Sequence, residues 1–280
     1  MNTENKIKIG SLEWFYRETK PSDSLDKPPV ILLHGIPAQS HSWTAIMPTL
    51  AEKGFRAIAP DWIGFGSSAK PDKRDFAYTP DGFTTAFAEF VEALEISRFS
   101  LVVQGFLGSV GLQYALRNPQ KIERLAILNT PISPSTKLPW KLQQLGFPLV
   151  GDMLTQDPLL VDRTLEGGSR YQIGEPDLNV YRKPFLTSSA AGRSLLATIR
   201  NLQLQPSLAE IASGLRQWQQ PTMIIWGTKD PWLSLSDVQN VVDSVNNIEV
   251  VQIPEAGHYP QEHWSEKISD LLQLFLRRTT

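Results

Sequence analysis

Short apolar runs alternate with amphipathic stretches along most of this chain, and that rhythm limits the folds open to it. Val30 to Leu33, Phe55 to Ala59, Phe99 to Val103 and Ile122 to Leu128 are mostly apolar and only a few residues long, as strands buried on both faces are. Between them lie segments such as Pro80 to Leu94, where Phe83, Phe87, Phe90, Val91 and Leu94 recur at helical spacing. The alternation predicts an α/β fold, with a mostly parallel sheet covered by helices on both faces. Ile7 to Ile9 and Leu12 to Tyr16 read as a leading strand pair, and Lys20 to Pro29 as an exposed connection.

The rhythm lapses after Asn129-Thr130-Pro131. From there to about Trp218 the chain is rich in Pro, Gly, Gln and aromatic residues and shows no clear strand; Thr222 to Trp226 and Glu249 to Ile253 then resume the sheet, and Ile268 to Leu276 reads as a closing helix. Residues 1–130 and 219–280 are therefore expected to form one core, with 131–218 inserted into it.

Four strings sit at strand ends in this core. They are His34-Gly35-Ile36-Pro37, Asp61-Trp62-Ile63-Gly64-Phe65-Gly66-Ser67-Ser68, Gln104-Gly105-Phe106-Leu107-Gly108, and Gly257-His258-Tyr259-Pro260-Gln261-Glu262. In their order and spacing they resemble the α/β-hydrolase superfamily, in particular its haloalkane dehalogenase and epoxide hydrolase branch. The resemblance implies an α/β-hydrolase fold with a helical cap at 131–218, and a triad in chain order nucleophile, acid, base. The acid position falls on Asp230, in Trp226-Gly227-Thr228-Lys229-Asp230-Pro231, and the base on His258. The nucleophile position falls on Gly105, and counting back from the helix end at Asn118-Pro119 reaches the same residue. By the same resemblance the N–H groups of Ile36 and Phe106 would form the oxyanion hole. Trp140, Phe147, Tyr171, Tyr181 and Phe185 are candidates to line the substrate pocket under the cap, although core packing is the commoner fate of any one of them.

Glycine can neither be deprotonated nor attack, which leaves a His258–Asp230 pair without a covalent nucleophile. Either the chain has stopped catalysing and keeps its pocket for a ligand or partner, the reading favoured here, or His258 activates water and drives hydrolysis or a lyase step on a small hydrophobic ester, epoxide or lactone. An engineered inactivation is a third origin for the glycine. Ser109 lies one helical turn past the elbow and points away from the strand end. Dehalogenation is disfavoured further, because Phe106 and Ile36 stand where that branch holds halide, and neither side chain can donate a hydrogen bond.

Composition narrows the partners. With a net charge of −2 and no basic block, nothing points to nucleic acid. The absence of cysteine removes disulfides, thiolate metal sites and a cysteine nucleophile together. Gly64 and Gly66 are not followed by a helix start, so they make no dinucleotide fingerprint, and no His, Asp and Glu spacing suggests a metal; no cofactor is expected. His34 and Asp61 are read as loop-organising residues, and His41 and His263 carry no assignment. No run approaches a membrane span and the first ten residues lack a signal-peptide core, so the expectation is a cytoplasmic protein with a small hydrophobic ligand and no membrane partner. Oligomeric state is not legible.

Overall fold

A computed structural model describes residues 2–22, 27–243, 245 and 247–278. Its eight strands are β1 (Thr3–Ile9), β2 (Leu12–Thr19), β3 (Val30–Leu33), β4 (Ala57–Pro60), β5 (Phe99–Gln104), β6 (Ile122–Leu128), β7 (Thr222–Gly227) and β8 (Ile248–Ile253). They form one sheet in the order β1-β2-β4-β3-β5-β6-β7-β8. β1 and β2 are antiparallel to each other and β2 is antiparallel to β4; every pairing from β4 to β8 is parallel. This is the expected α/β-hydrolase architecture.

Helices α1 (Met47–Glu52), α2 (Pro80–Ala93) and α3 (Gly105–Arg117) follow the early strands. α2 starts where its residues dictate: Thr79 accepts a hydrogen bond from the Gly82 N–H at 3.2 Å, and Pro80 occupies the first turn, where its missing N–H costs nothing. Its apolar stripe of Phe83, Phe87, Phe90 and Val91 then packs against Trp14, Trp62 and Tyr114 on one face of the sheet. The other face is covered by α1 and the closing helix, through Trp43, Met47, Leu50, Leu272 and Phe275. β4 begins at Ala57, two residues later than the apolar run suggests. The Phe55 N–H bonds to the Leu50 carbonyl at 3.1 Å and closes the turn after α1, so Phe55 belongs to that turn.

Between β6 and β7 the chain forms α4 (Trp140–Gly146), α5 (Val150–Leu154), α6 (Leu160–Ser169), α7 (Glu175–Thr187), α8 (Ser189–Asn201) and α9 (Leu204–Leu215). The last of these does not roof the site. Leu208, Ile211 and Leu215 are buried beside α3, and Glu210 bonds Gln113 and Arg117 of α3 at 2.7 Å each, so α9 belongs to the layer covering the sheet. After β7 come α10 (Leu235–Val242), α11 (Pro260–His263) and α12 (Ser265–Leu276). No helix among the described residues is long and apolar enough to cross a membrane.

Candidate active site

In a parallel sheet of this kind, loops at the carboxyl ends of the strands converge and build the site. β5 is buried throughout and runs straight into α3, with Gly105 at the junction at φ +70°. That left-handed backbone is the elbow conformation, which glycine adopts without steric cost. A Cβ placed on Gly105 would lie 3.1 Å from the Gly35 Cα and 3.3 Å from the His258 Nε2. The fold thus brings the three positions together as the resemblance implied, with no side chain at the first.

Asp230, in the loop after β7, is held by four donors. Its Oδ1 accepts from the N–H groups of Trp232 (2.8 Å) and Leu233 (3.1 Å), and its Oδ2 accepts from His258 Nδ1 (2.8 Å) and Asn129 Nδ2 (2.8 Å). A carboxylate only accepts, so His258 Nδ1 carries a proton and donates it to Asp230, while Nε2 faces Gly105. Nε2 is buried and has no hydrogen-bond partner among the described residues, and the imidazole is closed in by Phe106 at 5.5 Å, Trp232 at 4.7 Å and Tyr259 at 4.8 Å between ring centres. Asn129 also accepts from the Gly227 N–H at 2.8 Å, tying the ends of β6 and β7 together beneath the acid.

The proposed oxyanion residues flank the elbow. The Phe106 N–H lies in the first turn of α3, where amides have no intrahelical acceptor, and Ile36 is fixed through its carbonyl, which accepts from the Tyr259 hydroxyl at 2.6 Å. Ser109 is no substitute nucleophile, since its hydroxyl bonds back to the Phe106 carbonyl at 2.7 Å. His34 donates through Nδ1 to the Gly35 carbonyl and accepts from the Trp62 N–H at 3.0 Å, and burial lowers its pKa, so it organises the loop as a neutral ring. Asp61 does the same for its own loop, accepting from Ser40 N–H (2.6 Å) and Ser67 N–H (2.7 Å).

The five aromatic pocket candidates separate. Trp140 and Phe147 are corrections: they are 61% and 42% exposed and meet each other edge-on at 5.8 Å, facing solvent because α4 buries Leu142 and Leu145 instead. Tyr171 reaches the rim of the histidine loop, its hydroxyl donating to the Glu255 carbonyl at 2.9 Å. Tyr181 is buried and donates to Glu262 Oε1 at 2.6 Å, and Phe185 is half-buried between two core clusters.

Tyr181 belongs to a polar seam between cap and core that sequence reasoning missed. His41 bonds Asp177 of α7 at 2.8 Å, His263 donates to the Gln172 carbonyl at 2.9 Å, and the His258 N–H itself donates to the Gly168 carbonyl of α6 at 2.8 Å. Burial, aided by the nearby Asp177 charge and opposed by the Tyr181 hydrogen bond, pushes the Glu262 carboxyl up to about 7. A folded-state pKa above the unfolded value means the folded protein holds its proton more tightly. Stability from this group is therefore complete below the ordinary glutamate pKa and falls as pH rises to about 7. Compared with Glu262→Gln, the unmodified protein should lose on the order of 2–3 kcal/mol across that window, read as the difference between the two pH profiles of thermal midpoint.

A sequence model for the alpha/beta hydrolase fold matches residues 28–263, and the chain belongs to that family. Within it, the relatives include several haloalkane dehalogenases. The chain is 26% identical over 268 residues to a haloalkane dehalogenase of Mesorhizobium japonicum, covering 89% of this chain and 84% of the relative. It is 28% identical over 265 residues to a cis-3-alkyl-4-alkyloxetan-2-one decarboxylase of Shewanella oneidensis, covering 90% and 82%. The crystal structure of a haloalkane dehalogenase from Bradyrhizobium elkani superposes with a TM-score of 0.87 at 25% identity, covering 99% of this chain and 98% of that one.

Proposed function

We propose that this chain is a non-catalytic member of the haloalkane dehalogenase-like group, which binds a small apolar molecule beneath its cap without breaking it. The observation that carries this reading is Gly105. The His258 Nε2 lies 3.3 Å from the point where a nucleophile's Cβ would be, and the nearby Ser109 and Thr130 hydroxyls are turned to the Phe106 and Leu128 carbonyls. The base therefore has no protein nucleophile to serve. Phe106, Trp232 and Tyr259 around the imidazole favour an apolar ligand, of the kind the haloalkane and alkyl-oxetanone relatives are named for.

One observation favours a second reading, in which His258 activates water. A buried nitrogen without a partner costs about 1–3 kcal/mol, and Nε2 of His258 is such an atom. Gly105→Ser tests the first reading. The new Oγ would stand beside Nε2 on an elbow already in the required backbone conformation, so hydrolysis of an activated ester should rise at least about tenfold over the silent unmodified protein and vanish again in Gly105→Ser/His258→Ala. Turnover in the unmodified protein that is lost in His258→Ala would replace the first reading with the second.

A further inference from the structure

Of eight large apolar side chains exposed among the described residues, five lie in one stretch of the cap: Trp140, Phe147, Leu149, Val150 and Met153. They form one patch. The Trp140 and Phe147 rings touch, the Gly151 N–H donates to the Phe147 carbonyl at 2.9 Å, and the Met153 N–H donates to the Leu149 carbonyl at 3.0 Å, placing Leu149 and Met153 one turn apart. These two project furthest, at 77% and 73% exposed. Leu149 has φ +65°, a conformation a leucine adopts only under constraint.

Cations lie beside the patch. Lys137 and Lys141 are exposed on the same segment and pair with no carboxylate among the described residues. Arg200 lies against the Gly146 carbonyl at 3.1 Å, with Asp152 at 3.8 Å. Arg193 and Lys73 join Arg200 around a cavity of about 500 Å³ between α8 and residues 70–78, whose lining among the described residues holds two carboxylates, Asp72 and Asp152; Lys70, also in this lining, is engaged with the Gly66 and Ser68 carbonyls.

We propose that this face of the cap docks peripherally on an anionic lipid bilayer. Protruding apolar side chains flanked by cations suit a surface that offers negative charge outside and hydrocarbon within, and they need no matching pocket in a partner. A second copy of the chain fits worse, because a two-fold contact through this patch would bring its flanking cations toward a surface carrying the same cations, with no carboxylate cluster among the described residues to meet them. The sequence pattern hides the patch, since its residues are spread over two short helices and a turn.

Flotation of the full chain with vesicles of equimolar phosphatidylglycerol and phosphatidylcholine tests this. At low salt the protein should float with these vesicles and much less with phosphatidylcholine alone. Leu149→Asn/Met153→Ser should reduce partitioning about tenfold, and Lys137→Glu/Lys141→Glu should reduce it about fivefold or more per charge, with thermal midpoints unchanged because all four side chains are exposed. No flotation with anionic vesicles, or flotation indifferent to the apolar pair, overturns the proposal. So does a concentration-dependent dimer that the apolar pair abolishes in a protein that takes up no lipid.

Discussion

Asp230→Ala is expected to cost about 4 kcal/mol of unfolding free energy or more, and His258→Ala only about 1–3 kcal/mol. The asymmetry follows from the hydrogen bonds. Asp230 accepts from four donors, two backbone N–H groups of its own loop, Asn129 and His258, and its side chain is fully enclosed. Removing it strands all four. Among the described residues His258 contributes a single side-chain hydrogen bond, its Nε2 having no partner there, and its backbone bonds to Gly168 and Gln104 survive truncation. Urea unfolding of both variants decides the matter. Equal losses would mean that the acid is no more of a structural hub than the base, and that this pair was not retained for the loop it holds.

Gly257→Ala should be nearly as damaging, at about 3 kcal/mol. Its Cβ would fall 2.4 Å from the Gly168 carbonyl oxygen and 2.5 Å from that of Ser169, both backbone atoms at the end of α6. That end cannot simply retreat, since the His258 N–H is bonded to the Gly168 carbonyl at 2.8 Å. Either the histidine loop or α6 must move, and the seam between cap and base opens. Besides lowering stability, the substitution should speed exchange of the His258 amide hydrogen at least about tenfold, because that hydrogen bond is what protects it. Unchanged exchange in a folded variant would show that the loop absorbs the methyl without releasing the cap.

Much of the fold was legible because the parallel strands advertise themselves. Val30–Leu33 and Ile122–Leu128 have the same bounds in the sequence reading and in the structure, since burial on both faces leaves few polar residues to blur the ends. α2 was legible from the helical spacing of Phe83, Phe87, Phe90, Val91 and Leu94 after Pro80. The Gly105, Asp230 and His258 positions could be placed because Gly105 follows β5 directly, Asp230 and His258 lie in the loops that follow β7 and β8, and each carries a characteristic local string. What escaped were contacts made by residues far apart in the chain. Tyr181 with Glu262 and His41 with Asp177 pair across 81 and 136 residues, and no local pattern encodes such a meeting. Trp232, which lies on the imidazole, could have been suspected from its place two residues after the acid. Trp140 and Phe147 misled for the opposite reason: an aromatic residue in a helix carries no mark of the face it occupies until the neighbouring leucines are known to point inward.

A hydrolase-fold site that carries glycine at the nucleophile position should turn nothing over. The decisive measurement is a turnover panel of small apolar esters, epoxides, lactones and haloalkanes on the unmodified protein, with His258→Ala beside it. The expected result is background rates for both proteins on every compound. Turnover by the unmodified protein that disappears in His258→Ala would contradict it, and would make this chain a base-driven enzyme working without a covalent intermediate.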